Sequence, residues 1–111
     1  MSNDQQRLTV EVGSTPDTRT IRLIGEADLI GSPLIVAAFE AADPYEVVIV
    51  DLRGLTFIDS SGLHAMVKGH DLCQARGQEL RIIRGSANVQ RLFELTAMTD
   101  VLPFWDGELQ D

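Results

Sequence analysis

The feature that most constrains the fold is an unbroken apolar run at residues 47–50, inside the segment EVVIVDL (46–52). β-Branched side chains make up this run. A strand of this kind, without polar alternation, is typical of the middle of a sheet, where both faces are buried and the neighbouring strands are parallel. Parallel neighbours require crossover connections. The run therefore predicts an α/β fold with this strand at its centre.

The segment before this strand begins with a hairpin pattern. Residues 7–12 and 18–28 alternate apolar and polar side chains, with Leu8, Val10 and Val12 on one side. The turn sequence GSTPD (13–17) lies between them. This arrangement predicts two antiparallel strands, the second ending near Gly25.

The rest of the chain alternates between helix and strand patterns. Residues 53–58 are expected to be a loop, and residues 101–105 either a short last strand or a packed tail. The remaining elements are predicted as a helix at 31–43, a helix from Leu63 to about Ala75, a strand at 78–85 and a helix at 86–98. The order β-β-α-β-α-β-α predicts one small α/β domain with three to four helices and a mixed, mostly parallel sheet of four to five strands.

Capping residues and apolar stripes give the helices their expected orientation. Ser32 and Ser86 are predicted as N-caps, and Gly77 as the end of the second helix. The core-facing stripes are expected at Leu34, Ala37, Ala38 and Ala41, then at Leu63, Met66, Val67, His70 and Cys73, and finally at Val89, Leu92, Phe93 and Met98.

Length and charge narrow the classes of function. The chain has 111 residues, enough for one domain over 1–111, with about 1–6 and 106–111 expected to be flexible. Nine basic residues against 17 acidic ones give a net charge of −8. Nucleic acid is not an expected partner, because its binding depends on cationic side chains.

The sequence also bears on compartment and metal binding. One cysteine, Cys73, rules out an internal disulfide and a multi-cysteine metal site. No signal peptide is visible, and no apolar run approaches the roughly 20 residues that span a bilayer. We therefore expect a cytoplasmic protein without membrane insertion, metal or cofactor.

An unusual polar cluster follows the central strand. In GLTFIDSSGLHAM (54–66), Asp59, Ser60 and Ser61 lie between a strand pattern and a helix pattern. Any of the three could cap the helix, since its first N–H groups lack partners. One cap would suffice, so capping does not account for two hydroxyls and an acid. A nucleophile and a phosphorylation site are the other interpretations.

A hydrolase is the weaker of these interpretations. His64 lies four residues after Ser60, but the Gly-x-Ser-x-Gly pattern is absent and no third group is evident to hold the histidine. His64 and His70 lie on different faces of a helix, and His70 with Cys73 lacks a third metal ligand. The chain also has no phosphate-binding glycine loop. We expect a binding protein and not an enzyme.

Three segments resemble one known family. GEAD (25–28), DLRGLTFIDSSGL (51–63) and NVQRLFELTAMTDVLPF (88–104), in this order of elements, resemble a STAS domain. The small bacterial anti-sigma-factor antagonists are the most similar members by pattern. FIDSSGL is the most specific part of the resemblance, which extends over nearly the whole chain.

The resemblance implies a partner-switching function. Such proteins capture an anti-sigma factor that is also a serine kinase, and the sigma factor is then released. The kinase phosphorylates the first serine of the motif, which is Ser60 here, with Ser61 as a secondary site. Phosphorylation ends the capture until a serine phosphatase restores the protein. The negative charge that a phosphate adds is consistent with release of the partner, although the residues alone would also allow phosphate-dependent binding.

The resemblance also implies a partner surface. It comprises Glu26, Asp28, Asp59, Ser60, Ser61, Gly62, Leu63, His64 and Lys68. His64 departs from the family, in which glycine often occupies this position. A second hypothesis is a STAS-fold scaffold subunit of a stress-signalling or lipid-transport complex, in which the serines mainly cap the helix. The chain is expected to be a monomer or a weak dimer.

Overall fold

The structure is a computed structural model, and it describes residues 7–106. Its elements follow the predicted order, with a short 3-10 helix, η1, near the end. They are β1 (Leu8–Ser14), β2 (Thr18–Ala27), α1 (Ser32–Glu40), β3 (Val47–Ile58), α2 (Ser60–Arg76), β4 (Glu79–Ile83), α3 (Ala87–Leu95) and η1 (Met98–Asp100).

The sheet has the predicted mixed topology. Its four strands are ordered β1-β2-β3-β4, with β1 antiparallel to β2 and the other two pairs parallel. β3 therefore lies between two parallel neighbours, as its apolar run indicates. After η1, the part of the chain that the structure describes adds a single parallel bridge, between Ile82 and Phe104. Phe104 also contacts Phe93 edge-on, with ring centroids 5.1 Å apart, so residues 101–105 form a packed tail.

The core lies between one face of the sheet and the helices. Ile21, Val50 and Ile82 point to this face from three neighbouring strands and are fully buried. They belong to one cluster with residues of all three α-helices. On the opposite face of β3, Asp51 is buried at 4% exposure, and its Oδ2 lies 2.8 Å from Arg53 Nη2. Burial raises the pKa of Asp51, but the hydrogen bonds from Arg53 outweigh it and leave that pKa below its usual value.

The prediction of a loop at 53–58 is wrong, because β3 continues to Ile58. Pairing with β2 shifts register between Arg22 and Ile24, which lies opposite Gly54, and shifts again after Gly25. A Cβ on Gly54 would lie 2.9 Å from Ile24 Cγ1. Gly54 therefore allows the two strands to stay close through an irregularity in the ladder.

The predicted apolar stripe of α1 is also wrong. Ile35, Phe39 and Ala42 are buried, whereas Leu34, Ala37 and Ala41 are exposed and Ala38 is half-buried. Apolar residues lie on every side of this helix, so the sequence allows more than one stripe. The observed stripe places the bulkiest side chain, Phe39, in the core, where it removes the most apolar area from water.

Ser32 is not the N-cap of α1. The cap position is Gly31, whose N–H donates to Asp28 Oδ1 at 2.9 Å, and no side chain caps the helix. The Ser32 hydroxyl donates instead to the Leu29 carbonyl at 3.3 Å. The loop before α1 already turns helically at Gly31, so Ser32 lies one position inside the helix, where its hydroxyl cannot cap.

The other two helices match their predicted ends more closely. Gly77 ends α2 with a left-handed φ of 70°, and the Ser86 hydroxyl accepts the Val89 N–H at the start of α3. α2 nevertheless begins at Ser60, three residues before the predicted Leu63. In its middle, Gly69 lies directly against the ring of Phe39, which brings α1 and α2 close together.

Candidate functional site

The candidate site is built where the ends of β2 and β3 meet the start of α2. Ala27 pairs with Ile58, and the Asp59 N–H donates to the Ala27 carbonyl at 3.2 Å. A Cβ on Gly62 would lie 2.5 Å from the same carbonyl oxygen. The first turn of α2 can therefore pack on β2 only with glycine there, and the structure joins the GEAD and DSSG segments.

Of the three candidates for capping α2, Asp59 is the one that occupies the N-cap position. Its backbone is extended, with φ −117° and ψ −170°. Its Oδ1 accepts both the Ser61 N–H at 2.8 Å and the Gly62 N–H at 3.2 Å. Its carbonyl accepts the Leu63 N–H at 3.0 Å. One side chain thus satisfies two of the N–H groups that a helix start leaves without partners.

Ser60 is left without a structural role for its hydroxyl. It is the first residue of α2 and is exposed, and within residues 7–106 its side chain makes no hydrogen bond. Ser61 is half-buried, and its side chain faces α1. The two adjacent serines therefore differ in accessibility, and Ser60 is the one that a modifying enzyme could reach directly.

A shallow groove runs between α1 and α2 beside these serines. Its volume is about 230 Å³. His64 and Lys68 are exposed on the α2 side, one helical turn apart. Its lining residues are Ser32, Pro33, Val36, Ser61, His64, Ala65 and Lys68. The groove thus combines an apolar floor with basic side chains that start one turn after Ser60.

The remaining residues of the predicted partner surface have other contacts. Gly62 and Leu63 are buried, so they fix the position of the serines and offer little surface. Glu26 is paired with Arg7 at 3.1 Å, and Asp28 accepts the Gly31 N–H. The most accessible predicted residues are therefore Ser60, His64 and Lys68.

Sequence reasoning missed three apolar residues near this end of the sheet. Leu29 and Ile30, in the loop after Asp28, are 71% and 47% exposed, and Phe57, which pairs with Glu26, is 43% exposed. The signal was present: two large apolar residues follow an acid and precede Gly31, in a segment too short to be an element. They add exposed apolar area near the serines.

The histidine and cysteine side chains singled out in the sequence have separate surroundings in the structure. Within 7–106, no hydrogen bond joins Ser60 to His64, and no group of three metal-ligating side chains is found. The His70 Nδ1 atom lies 3.8 Å from Asp71 Oδ1, and the His70 side chain is mostly buried. Burial raises the pKa of the neighbouring Cys73 thiol, an effect that Arg76 partly opposes. Both residues belong to the packing of α2.

Comparison with known proteins gives a family match and curated relatives. Residues 9–108 match the family model described as the STAS domain. The chain is 26% identical over 105 residues to an anti-sigma F factor antagonist of Paenibacillus polymyxa, covering 92% of this chain and 90% of that protein. It is 30% identical over 84 residues to an anti-sigma-B factor antagonist of Listeria monocytogenes, covering 74% of each.

Solved structures share the fold. An anti-sigma factor antagonist from Mycobacterium paratuberculosis aligns with a TM-score of 0.79 and 20% identity, over 90% of this chain and 86% of that one. The Bacillus cell fate determinant SpoIIAA in its phosphorylated form aligns with a TM-score of 0.70 and 21% identity, over 90% and 92%. Among residues 7–106, no helix is both long and apolar enough to cross a membrane.

Proposed function

This chain belongs to the STAS domain family, and on that premise we propose that it is an anti-sigma-factor antagonist controlled by phosphorylation of Ser60. In its unphosphorylated form it captures an anti-sigma factor that is also a serine kinase. That kinase phosphorylates Ser60, and the complex separates. A serine phosphatase removes the phosphate and restores the capture. The names of two curated relatives support this class of protein.

One observation carries the proposal: Asp59 caps α2, so the Ser60 hydroxyl is exposed and takes no part in the fold. A capping serine would have to give up its hydrogen bond before reacting. Ser60 can be modified without that loss. In the reaction, Ser60 Oγ would attack the γ-phosphorus of ATP on the kinase, its proton would pass to a kinase base, and ADP would leave.

The surroundings of Ser60 support phosphate-induced release. A phosphate adds a charge of about −1.5 to −2 beside the Asp59 carboxylate. A partner that covers Leu29, Ile30 and Phe57 would exclude water from this end of the sheet. Removing a dianion from water costs free energy that the unmodified complex does not incur. About 1.4 kcal/mol weakens binding tenfold, so a loss of a few kcal/mol separates the complex.

The test is phosphorylation by serine kinases of the anti-sigma type. The chain is incubated with each candidate kinase and ATP, and the modified residue is located by mass spectrometry. We expect phosphate on Ser60, none on the Ser60→Ala variant, and normal modification of Ser61→Ala. Phosphate on neither serine with any candidate kinase would refute the proposal.

Variants at Ser60 test the switch separately from the reaction. Against the kinase that modifies it, Ser60→Ala should bind like the unmodified protein. Ser60→Asp should bind at least tenfold more weakly, because it places a charge in the interface. Isothermal titration with a nonhydrolysable ATP analogue measures both. Equal affinities would contradict electrostatic release, and recovery of transport components from native cells in place of the kinase would favour a scaffold.

A further inference from the structure

We propose that His64 forms the docking site for the phosphoryl group carried by Ser60. The contact lies within this chain and rests on the proposed function, since it concerns the phosphorylated form. It gives the exposed His64 a second role beside that in the predicted partner surface: contact with a phosphate ester on the same helix.

Helix geometry brings the two side chains together. Ser60 is the first residue of α2, and His64 follows it by four residues in the same helix. Residues four apart lie on one face, about 5–6 Å between their Cβ atoms. Helical side chains lean towards the N-terminus, so the imidazole of His64 leans towards Ser60. Both residues are exposed, so a phosphate on Ser60 has room to meet the ring.

The usual donors for an anion at a helix start are already occupied. The Ser61 and Gly62 N–H groups both donate to Asp59 Oδ1, at 2.8 and 3.2 Å. A phosphate on Ser60 would have to displace that carboxylate to reach them. The carboxylate also repels the phosphate. A protein contact to the phosphoryl oxygens must therefore come from elsewhere, and His64 is the titratable side chain one turn along the same face.

The other charged groups near this site are less well placed to contact the phosphate. Lys68 lies a further turn along α2, two turns from Ser60. Across the groove, α1 contributes Ser32, Pro33 and Val36, none of which titrates. At the ends of the strands, Glu26 is paired with Arg7, and Asp28 accepts the Gly31 N–H. When it is protonated, His64 is thus the nearest cation to the phosphate along α2.

The contact depends on the charge of the phosphate. The second ionisation of a phosphoserine occurs near pH 6. An imidazolium attracts the dianion more strongly than the monoanion, whereas a neutral ring can only form a hydrogen bond with it.

The test uses protein carrying phosphoserine at position 60, inserted during translation so that no kinase is required. The second pKa of the phosphate is read from its ³¹P chemical shift across pH 4–9. An imidazolium at four residues' separation stabilises the dianion, so the wild-type midpoint should lie about 0.3 pH unit below that of His64→Gln. His64→Ala should match His64→Gln.

Two controls separate a local contact from a general charge effect. Lys68→Gln removes a positive charge two turns from the phosphate and should shift the midpoint by less than about 0.1 unit. His70→Gln removes the other histidine, which is mostly buried, and should leave it unchanged. Equal midpoints in wild type and His64→Gln, or an equal shift in Lys68→Gln, would overturn the contact. Either result would leave Ser60 a valid kinase substrate, whereas failure of the kinase test would refute the proposed function alone.

Discussion

Three adjacent polar side chains at the end of β3 have three different environments. Asp59 accepts two N–H groups at the start of α2, Ser60 faces solvent, and Ser61 faces the groove. The sequence shows that one of them caps a helix, but the choice depends on which residue remains extended. That in turn depends on where β3 ends. The end of β3 is set by its pairing with β2 and not by the identities of these three side chains.

The capping role of Asp59 predicts a measurable loss of stability. Asp59→Ala leaves the Ser61 and Gly62 N–H groups without their acceptor, and should lower the free energy of unfolding by about 1 kcal/mol. Chemical denaturation followed by circular dichroism measures the change.

Asp59→Asn is the matched control for this prediction. Asparagine is as good a capping residue as aspartate, so this variant should lose only a few tenths of a kcal/mol. If both variants lost the same amount, the carboxylate charge and not the cap would be stabilising α2.

At the scale of elements, the order of strands and helices follows from sequence pattern, whereas their faces and ends depend on packing. The β-branched run predicts β3 and its parallel neighbours because burial on both faces requires apolar side chains at every position. The face of α1 is less determined, because several of its sides are apolar. Phe39 settles the orientation through a contact with Gly69 of α2, which no local pattern reveals.

That contact makes Gly69→Ala a destabilising substitution in spite of helix propensity. Alanine is favoured over glycine inside a helix by about 1 kcal/mol. Its Cβ would overlap the ring of Phe39, which is 1% exposed and cannot move aside freely. Overpacking a core costs about 1–3 kcal/mol, so we expect a net loss of about 1 kcal/mol in thermal or chemical unfolding.

Two variants check the reason for this loss. Gly13→Ala adds a Cβ that meets no atom within 4 Å, and it should be nearly neutral. Phe39→Leu shortens the side chain that clashes, so Gly69→Ala should cost less in that background than in wild type. A stabilising Gly69→Ala would show that α1 and α2 can move apart at little cost.

At the scale of the whole molecule, some charged side chains form ion pairs, and acidic side chains are in excess. Several arginines are held in ion pairs, among them Arg7 with Glu26 and Arg84 with Asp106. Acidic residues outnumber basic ones by 17 to nine, so at least eight carboxylates have no cation of their own. Two copies of the protein therefore repel each other at neutral pH. Phosphorylation strengthens that repulsion.

This excess charge predicts the association state. At pH 7 the protein should be a monomer of 12.2 kDa by light scattering after size exclusion, over a range of micromolar concentrations. As pH falls towards the isoelectric point near 4.5, carboxylates gain protons, net charge approaches zero and self-association should increase. Raising the salt concentration at pH 7 provides the control, since screening weakens the same repulsion. A mass twice as large at pH 7, unchanged by dilution, would mean that a specific interface outweighs the repulsion. In that case the exposed apolar residues Leu29, Ile30 and Phe57 would be the first to substitute.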